Sequence, residues 1–249
     1  MVRPLGDFAM RRPYRLDGPI LSMILNAAHD RHKGRVFVVE VGSGTGEGAP
    51  DLLGRFRNDG WSGLLIEPHP AQFAALEALH AASDRVAVLN LGISDIAANL
   101  PLHFLKPEAL ERNPKLARHR ASIVRDRILV RGATEADLDS VEVPFIRLDA
   151  VLRELGIKTA HVLVINAGGH EEQVLRSLDL GAAKPSVVLV RSIAATPADD
   201  ALVDILLAAG LTPYRVGAWL AGLAPGLCVP LDELLTFFHR GIGQTEVEE

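Results

Sequence analysis

Apolar residues in this chain gather in short runs, separated by stretches in which they recur every three to four positions. The runs are Val36 to Val41, Gly63 to Ile66, Arg85 to Leu89, Val141 to Ile146, His161 to Ile165 and Ser186 to Val190. Such runs, with little polar alternation, suit strands covered by helices on both faces, where every side chain is buried. Val38, Val39, Leu64, Leu65, Val86, Val88, Val162, Val164, Val187, Val188 and Leu189 are then core residues. Between the runs, helical spacing predicts helices over Ala49 to Arg57, Ala71 to Ala82, Asp149 to Leu155, Glu171 to Leu178 and Asp199 to Ala209. A further helix opens at Asp17 and reaches about Arg31, with Ile20, Leu21, Ile24, Leu25 and Ala28 on one face. Leu100 to Leu105 reads as a short extra strand, and Thr212 to Val216 and Leu227 to Pro230 as the strands that finish the sheet. Strands alternating with helices of about ten residues predict an α/β fold with a doubly wound, mostly parallel sheet and an N-terminal helical extension.

Two stretches break this rhythm. Met1 to Leu16 carries Arg3, Arg11, Arg12 and Arg15 with Pro4 and Pro13, and reads as an irregular arm. Lys106 to Arg131 holds eight Lys and Arg against three Asp and Glu, in a chain whose formal net charge is −5. Its apolar spacing is poor until Ile123 and Ile128 to Val130, which predicts an insertion or lid near the ligand face, or else a solvated surface loop. The chain thus divides into an arm and helix over 1–34, a sheet domain over 35–235 with the basic insertion at 106–131, and a tail over 236–249.

Composition narrows the partners. With 249 residues, 48% of them apolar, there is enough material for one large buried sheet. The acidic balance gives no support to a nucleic-acid partner. Cys228 is the sole cysteine, which excludes an internal disulfide and a thiolate metal cluster. Ser22 and Asn26 interrupt the run from Pro19 to Ala28, and no other stretch has the length of a membrane span or signal sequence. The expectation is a cytoplasmic protein with no membrane partner, and association into a homo-oligomer stays open.

Candidate chemistry concentrates behind the first strand. RVFVVEVGSGTGEG, residues 35–48, sets Gly42, Gly44, Gly46 and Gly48 within seven residues. Alternating glycines permit a sharp turn and bring bare backbone N–H groups against a ligand. Glu67 follows the second strand, 21 residues beyond Gly46, where a carboxylate can take both hydroxyls of a ribose. Asn90 ends the third strand, at the sheet edge where ligands of open α/β folds lie. An adenosine-type cofactor site follows, with two classes open. Gly44 to Ala49 meets the GxGxxA form of a dinucleotide loop, although Glu47 would repel a pyrophosphate there. Read from Glu40 instead, the stretch is E-x-G-x-G-x-G.

That second pattern resembles the class I methyltransferases, which use S-adenosylmethionine. The resemblance implies that Glu40 helps position the methionine part and that Gly42, Ser43, Gly44 and Gly46 pass under the cofactor. It implies that Glu67, with Pro68 and Asn90 nearby, holds the ribose end. Further motifs narrow the likeness: IEPHP at 66–70, LNLGISD at 89–95, IRLD at 146–149 and LVINAGGHE at 163–171. In this order they resemble the FkbM-type methyltransferases over roughly Val36 to Val190. The resemblance implies a Rossmann-like fold and O-methylation of a small-molecule acceptor, a sugar or a related secondary metabolite.

The departures bear on mechanism. Where that family commonly shows K-I-D-x-E-G-x-E, this chain has Val164 for the lysine, Asn166 for the aspartate and Gly168 for the glutamate. A strand that often ends in an acid reads Val190-Arg191-Ser192. Asn166 accepts hydrogen bonds but cannot act as a base at neutral pH. Methyl transfer to an alcohol is an in-line displacement that a base assists. His170 is the first candidate for that base, with Asn166 facing acceptor and cofactor; the alternative for His170 is merely to open the helix at Glu171. His69 lines the cofactor or faces solvent, His103 and His119 lie near the basic stretch, and Asp149 reads as a helix cap. No metal is expected, since no paired carboxylates or His-x-x-x-His stand on an active-face element. If the basic stretch covers the site, it favours an acidic or phosphorylated acceptor. Two rival readings remain: a non-catalytic partner protein that keeps the fold, and a dinucleotide-dependent oxidoreductase.

Overall fold

A strand buried on both faces must send alternate side chains into two separate cores, and this chain does so. The structure, a computed structural model, describes residues 17–47, 50–113, 121–129, 133–192 and 197–229. In chain order the elements begin α1 (Asp17–Arg31), β1 (Phe37–Val41), α2 (Leu52–Asn58), β2 (Ser62–Ile66), α3 (Pro70–His80) and β3 (Val86–Leu89). There follow β4 (Gly92–Ile93), β5 (Ala98–Leu105), α4 (Pro107–Arg112), β6 (Ala121–Ser122) and β7 (Leu138–Ile146). The chain continues with α5 (Leu148–Glu154), β8 (Val162–Ile165), α6 (Glu171–Arg176), α7 (Leu180–Ala183), β9 (Val187–Arg191), α8 (Pro197–Ala208), β10 (Thr212–Val216) and β11 (Trp219–Leu223).

The main sheet has seven strands in the order β10-β11-β9-β8-β1-β2-β3. β1 pairs in parallel with β2 and β8, β2 with β3, and β8 with β9. β11 runs antiparallel between β9 and β10. Val38, Val162, Val164, Val187 and Leu189 enter one core with α1, Phe56 of α2 and Leu76 of α3. Val39, Val41, Leu163, Ile165, Val188 and Val190 enter the other, with α5, α6 and α8. Ile20, Leu21, Ile24, Leu25 and Ala28 of α1 are all buried, so the same core holds this helix to the sheet. At about 1.5–3 kcal/mol for each large side chain buried, packing outweighs its modest intrinsic helicity.

Four features differ from the sequence reading. α2 begins at Leu52 rather than at 49, because Asp51 caps it by accepting from the Gly54 N–H at 2.9 Å. The strand that completes the sheet is Trp219–Leu223, not a segment from Leu227, and Leu227 to Val229 carry no strand. That strand holds Ala221 and Gly222, residues of low strand propensity, yet Gly222 is needed: a Cβ there would meet Leu206 of α8 at 2.8 Å. Asp149 does not cap α5; Arg147 stands at the cap and its guanidinium grips the Asp149 carboxylate.

The fourth difference is a second sheet, β4-β7-β5-β6. β5 and β7 pair antiparallel from Ala98↔Phe145 to Leu105↔Leu138. The strands expected at Leu100 to Leu105 and Val141 to Ile146 are both present and longer than expected, but they pair with each other, across Pro101 and Pro144, instead of joining the main sheet. Of the basic stretch, α4, β6 and a 3₁₀ turn at Arg125–Arg127 are described, and β6 pairs with β5. The arm before Asp17, residues 114–120 with His119, and the tail from Pro230 lie outside the described residues.

Candidate active site

The strand order reverses at β1, and a ligand crevice belongs at the carboxyl ends of the strands flanking such a point. A cavity of 540 Å³ lies there. Its floor is the loop Val41 to Thr45, with Glu67, Pro68 and Gln72 to one side and Asn166, Ala167, Gly168 and His170 to the other. Its roof comes from the second sheet and the segment beyond it: Ile93, Leu102, Phe145, Ser122, Arg127 and Ile128. Within the second sheet β4 lies close on β7 at Gly92, where any Cβ would collide with the ring of its register partner Phe145.

The glycine loop has the shape of a cradle. Gly42 (φ +79°) and Gly44 (φ +60°) are left-handed, a region strained for other residues. A Cβ on Gly42 would strike the backbone carbonyl of Asn166, so only glycine lets β1 and β8 approach so closely at the cavity floor. Glu67 is 4% exposed; its Oε2 accepts from the Gly44 N–H at 2.7 Å and its Oε1 from the His69 N–H at 2.9 Å. One carboxylate therefore ties the glycine loop to the turn after β2. Burial nevertheless pushes its pKa to about 7 against these hydrogen bonds. Glu40 is raised to about 7 by burial, opposed by the Ser43 hydroxyl and reinforced by the charge of Glu67.

Not every expected residue borders the cavity. Gly42, Ser43, Gly44, Glu67, Pro68, Asn166 and His170 do; Glu40, Gly46 and Asn90 do not. Gly46 instead admits Leu76 and Leu79 of α3, which a Cβ would meet at 2.9 and 2.8 Å. The Asn90 amide donates to the carbonyls of Glu67 (2.8 Å) and Pro68 (3.1 Å), holding the turn that carries the Glu67 side chain. His69 caps α3 through Nδ1 and packs edge-on against Phe104, and His103 of β5 does not border the cavity. Asn166 stands exposed at the end of β8.

His170 precedes α6 without capping it through its side chain. Its Nε2 lies 2.9 Å from Ser94 Oγ, which lies 3.2 Å from Asp95 Oδ1, and its ring meets Phe145 edge-on. Ser94 is 1% exposed. A hydroxyl has one proton: given to the Asp95 carboxylate, it leaves the oxygen to accept from His170 Nε2–H. That assignment leaves Nδ1 as the free acceptor. Burial holds the imidazole below the ordinary histidine value, partly opposed by Asp95. Ser94, Asp95 and Phe145 were not singled out as site residues in the sequence, although Ser94 and Asp95 close the motif after the third strand. Among the described residues no three His, Cys, Asp or Glu side chains come together as a metal site would require. No described helix is long and apolar enough to cross a membrane.

Comparison with known proteins places this architecture. Among curated proteins none matches the sequence. Solved structures with similar folds include an FkbM methyltransferase from Methylobacillus flagellatus KT, 13% identical, covering 76% of this chain and 44% of its own, with a TM-score of 0.47. This chain therefore spans less than half the length of that protein. A precorrin-6y C5,15-methyltransferase from Geobacter metallireducens GS-15 is 9% identical over 87% of this chain and 91% of its own, with a TM-score of 0.44. The assignment rests on neither, but on the family model for the methyltransferase FkbM domain, which matches residues 40–211, from the acid in β1 to the start of the closing hairpin. The chain belongs to the FkbM methyltransferase family, whose members take their methyl group from S-adenosylmethionine.

Proposed function

We propose that this protein transfers a methyl group from S-adenosylmethionine to a hydroxyl of a small molecule, a sugar or an acidic metabolite, with His170 as the base. The observation that carries the reading is the buried Ser94 hydroxyl between Asp95 and His170, behind the His170 ring that borders the cavity floored by the glycine loop. The cofactor fits the cradle. Gly42 and Gly44 turn left-handed on either side of Ser43, Gly42 leaves no room for a Cβ beside the Asn166 carbonyl, and Glu67, backed by Asn90, offers a carboxylate to ribose hydroxyls. Glu40 and Gly46 act from behind the wall, one as a buried acid and the other as the packing point of the loop on α3.

The cofactor supplies an electrophilic methyl carbon on a positively charged sulfur. The chain's own part is alignment, exclusion of water and removal of the acceptor's proton. His170 receives that proton at Nδ1, and Ser94 fixes the ring by accepting from Nε2–H. Asn166 offers a neutral hydrogen-bonding edge to the acceptor. The exposed single cysteine, Cys228, suits a reducing, cytoplasmic setting. Calorimetric titration with S-adenosylmethionine, S-adenosylhomocysteine and NADH tests the cofactor. Micromolar binding of the first two, weakened at least tenfold in Glu67→Ala, is expected; binding of NADH alone would overturn the reading. Cofactor binding without methyl transfer to any hydroxylated acceptor would favour the non-catalytic partner, which the Asn166 and Gly168 exchanges otherwise suggest.

A further inference from the structure

Resting on that reading, we propose that the acceptor carries a carboxylate or phosphate group and that Arg127 holds it. Six arginines make ion pairs among the described residues: Arg55 with Asp59, Arg112 with Asp137, Arg125 with Glu135, Arg147 with Asp149, Arg176 with Glu172 and Arg215 with Asp199. Arg127 makes none among them, yet it borders the cavity beside His170. Of the carboxylates on the same cavity, those of Glu67 and Glu171 are turned to backbone N–H groups, those of Gly44 and His69 and that of Gly169, and Glu47 makes no ion pair with Arg127. The guanidinium fork is thus free for an incoming anion, which it can take through two parallel N–H donors.

Its placement is built rather than incidental. Ser122 donates to the Gly168 carbonyl at 2.7 Å and accepts from the Val124 N–H at 2.9 Å. Ile128, 1% exposed, packs beside Leu105, so the turn at Arg125–Arg127 is anchored on both sides. This segment sits directly on the glycine pair. A Cβ on Gly168 would meet the Ala121 carbonyl at 2.9 Å, and one on Gly169 would run into Arg127, with its Cδ and Cζ at 2.7 Å. A glutamate at position 168, as in the motif this chain resembles, would project from the place the segment occupies. The exchange therefore removes an acid and lets a cation stand over the site. Arg191, where an acid was expected, borders the same cavity and stacks on Trp219. The exchanges at 168 and 191 both move the acceptor wall toward positive charge, which favours an anionic acceptor over a neutral or cationic one.

The test titrates the protein, loaded with S-adenosylhomocysteine, with glucose, glucuronate and glucose 6-phosphate, in wild type, Arg127→Gln and Arg125→Gln. At least one anionic sugar should bind ten times more tightly than glucose in wild type and Arg125→Gln, with that advantage lost in Arg127→Gln; which anion gains shows whether carboxylate or phosphate is preferred. Glucose binding as tightly as both anions, an advantage that survives Arg127→Gln, or failure of both anions to bind overturns the proposal. S-adenosylhomocysteine affinity, measured in the same titrations, should be equal in all three proteins. Its absence would defeat the methyltransferase reading itself, whereas normal affinity without anion preference defeats this inference alone.

Discussion

Acidification should loosen the cofactor while tightening the empty protein. Burial raises both Glu67 and Glu40 to about pH 7, so near neutrality the free protein holds protons on groups that are ordinarily ionised. A carboxylate that takes ribose hydroxyls or a cofactor ammonium must give its proton up. If Glu67 ionises fully in the complex, lowering the pH from 8 to 6 weakens binding by about tenfold. If Glu40 ionises too, the loss approaches about a hundredfold, less whatever the mutual repulsion of the two charges withholds. The sign for folding is opposite. A carboxyl raised in the folded state stabilises it below the unfolded value, and that contribution is lost as pH rises through about 7, by about 3 kcal/mol for Glu67. Weaker binding at pH 6 would thus accompany a more stable apoprotein, which separates this linkage from acid unfolding. The assay is calorimetry with S-adenosylmethionine between pH 6 and 8, in buffers of different ionisation enthalpy, on wild type and Glu67→Gln. The difference in protons released between the two proteins isolates the Glu67 share, because ionisation of the cofactor itself is common to both. In Glu67→Gln one of the Gly44 and His69 N–H groups faces an amide NH₂ instead of an oxygen, at about 1–3 kcal/mol of stability. Equal proton release in the two proteins, or affinity flat from pH 6 to 8, would refute the reasoning.

Other perturbations separate scaffold from site. Gly42→Ala places a Cβ against the Asn166 carbonyl in a left-handed residue, so it should lose about 1–2 kcal/mol from backbone strain alone and weaken cofactor binding more than tenfold; wild-type affinity by calorimetry would show the close approach to be dispensable. Trp61→Phe removes the Nε1–H donated to His29 Nδ1 at 3.0 Å from a fully buried ring, and chemical denaturation should register a loss of about 1–2 kcal/mol with cofactor affinity unchanged. His32 is held below the ordinary histidine value by burial, then by His161 and Arg31, and His161 is lowered by burial. Depressed histidines stabilise the fold above pH 6.5 and lose that contribution as pH falls below it, so the melting-temperature advantage of wild type over His32→Gln should shrink from pH 7.5 to 5.5. An advantage that grows on acidification would contradict the assignment.

The two-core sheet was legible because its evidence is local. An apolar run too dense to alternate, such as Val162 to Ile165, can only be a strand covered on both faces, and a glycine loop behind such a run positions a ligand whatever the rest of the chain does. Gly42, Gly44 and Glu67 were readable on the same grounds, as a left-handed loop and a carboxylate that lie together at one end of the sheet. That β5 and β7 form a sheet of their own was not, because a strand's local pattern does not name its partner and these two pair with each other across long-range contacts. Nor was the closing strand, where Gly222 weakens the local signal to admit Leu206 from a distant helix.

The site divides in the same way. Sequence by itself determined the sheet order's raw material, the glycine loop with its carboxylate and the family, because these depend on residue types at short, regular spacing. Tertiary structure alone decided that Gly46 packs on α3, that Asn90 holds a turn, that Ser94 stands between Asp95 and His170, and that Arg127 lies over Gly169. Those residues are 76 positions apart for Ser94 and His170, and 42 for Arg127 and Gly169. Their meeting is set by how two sheets dock, a packing event to which no local spacing corresponds.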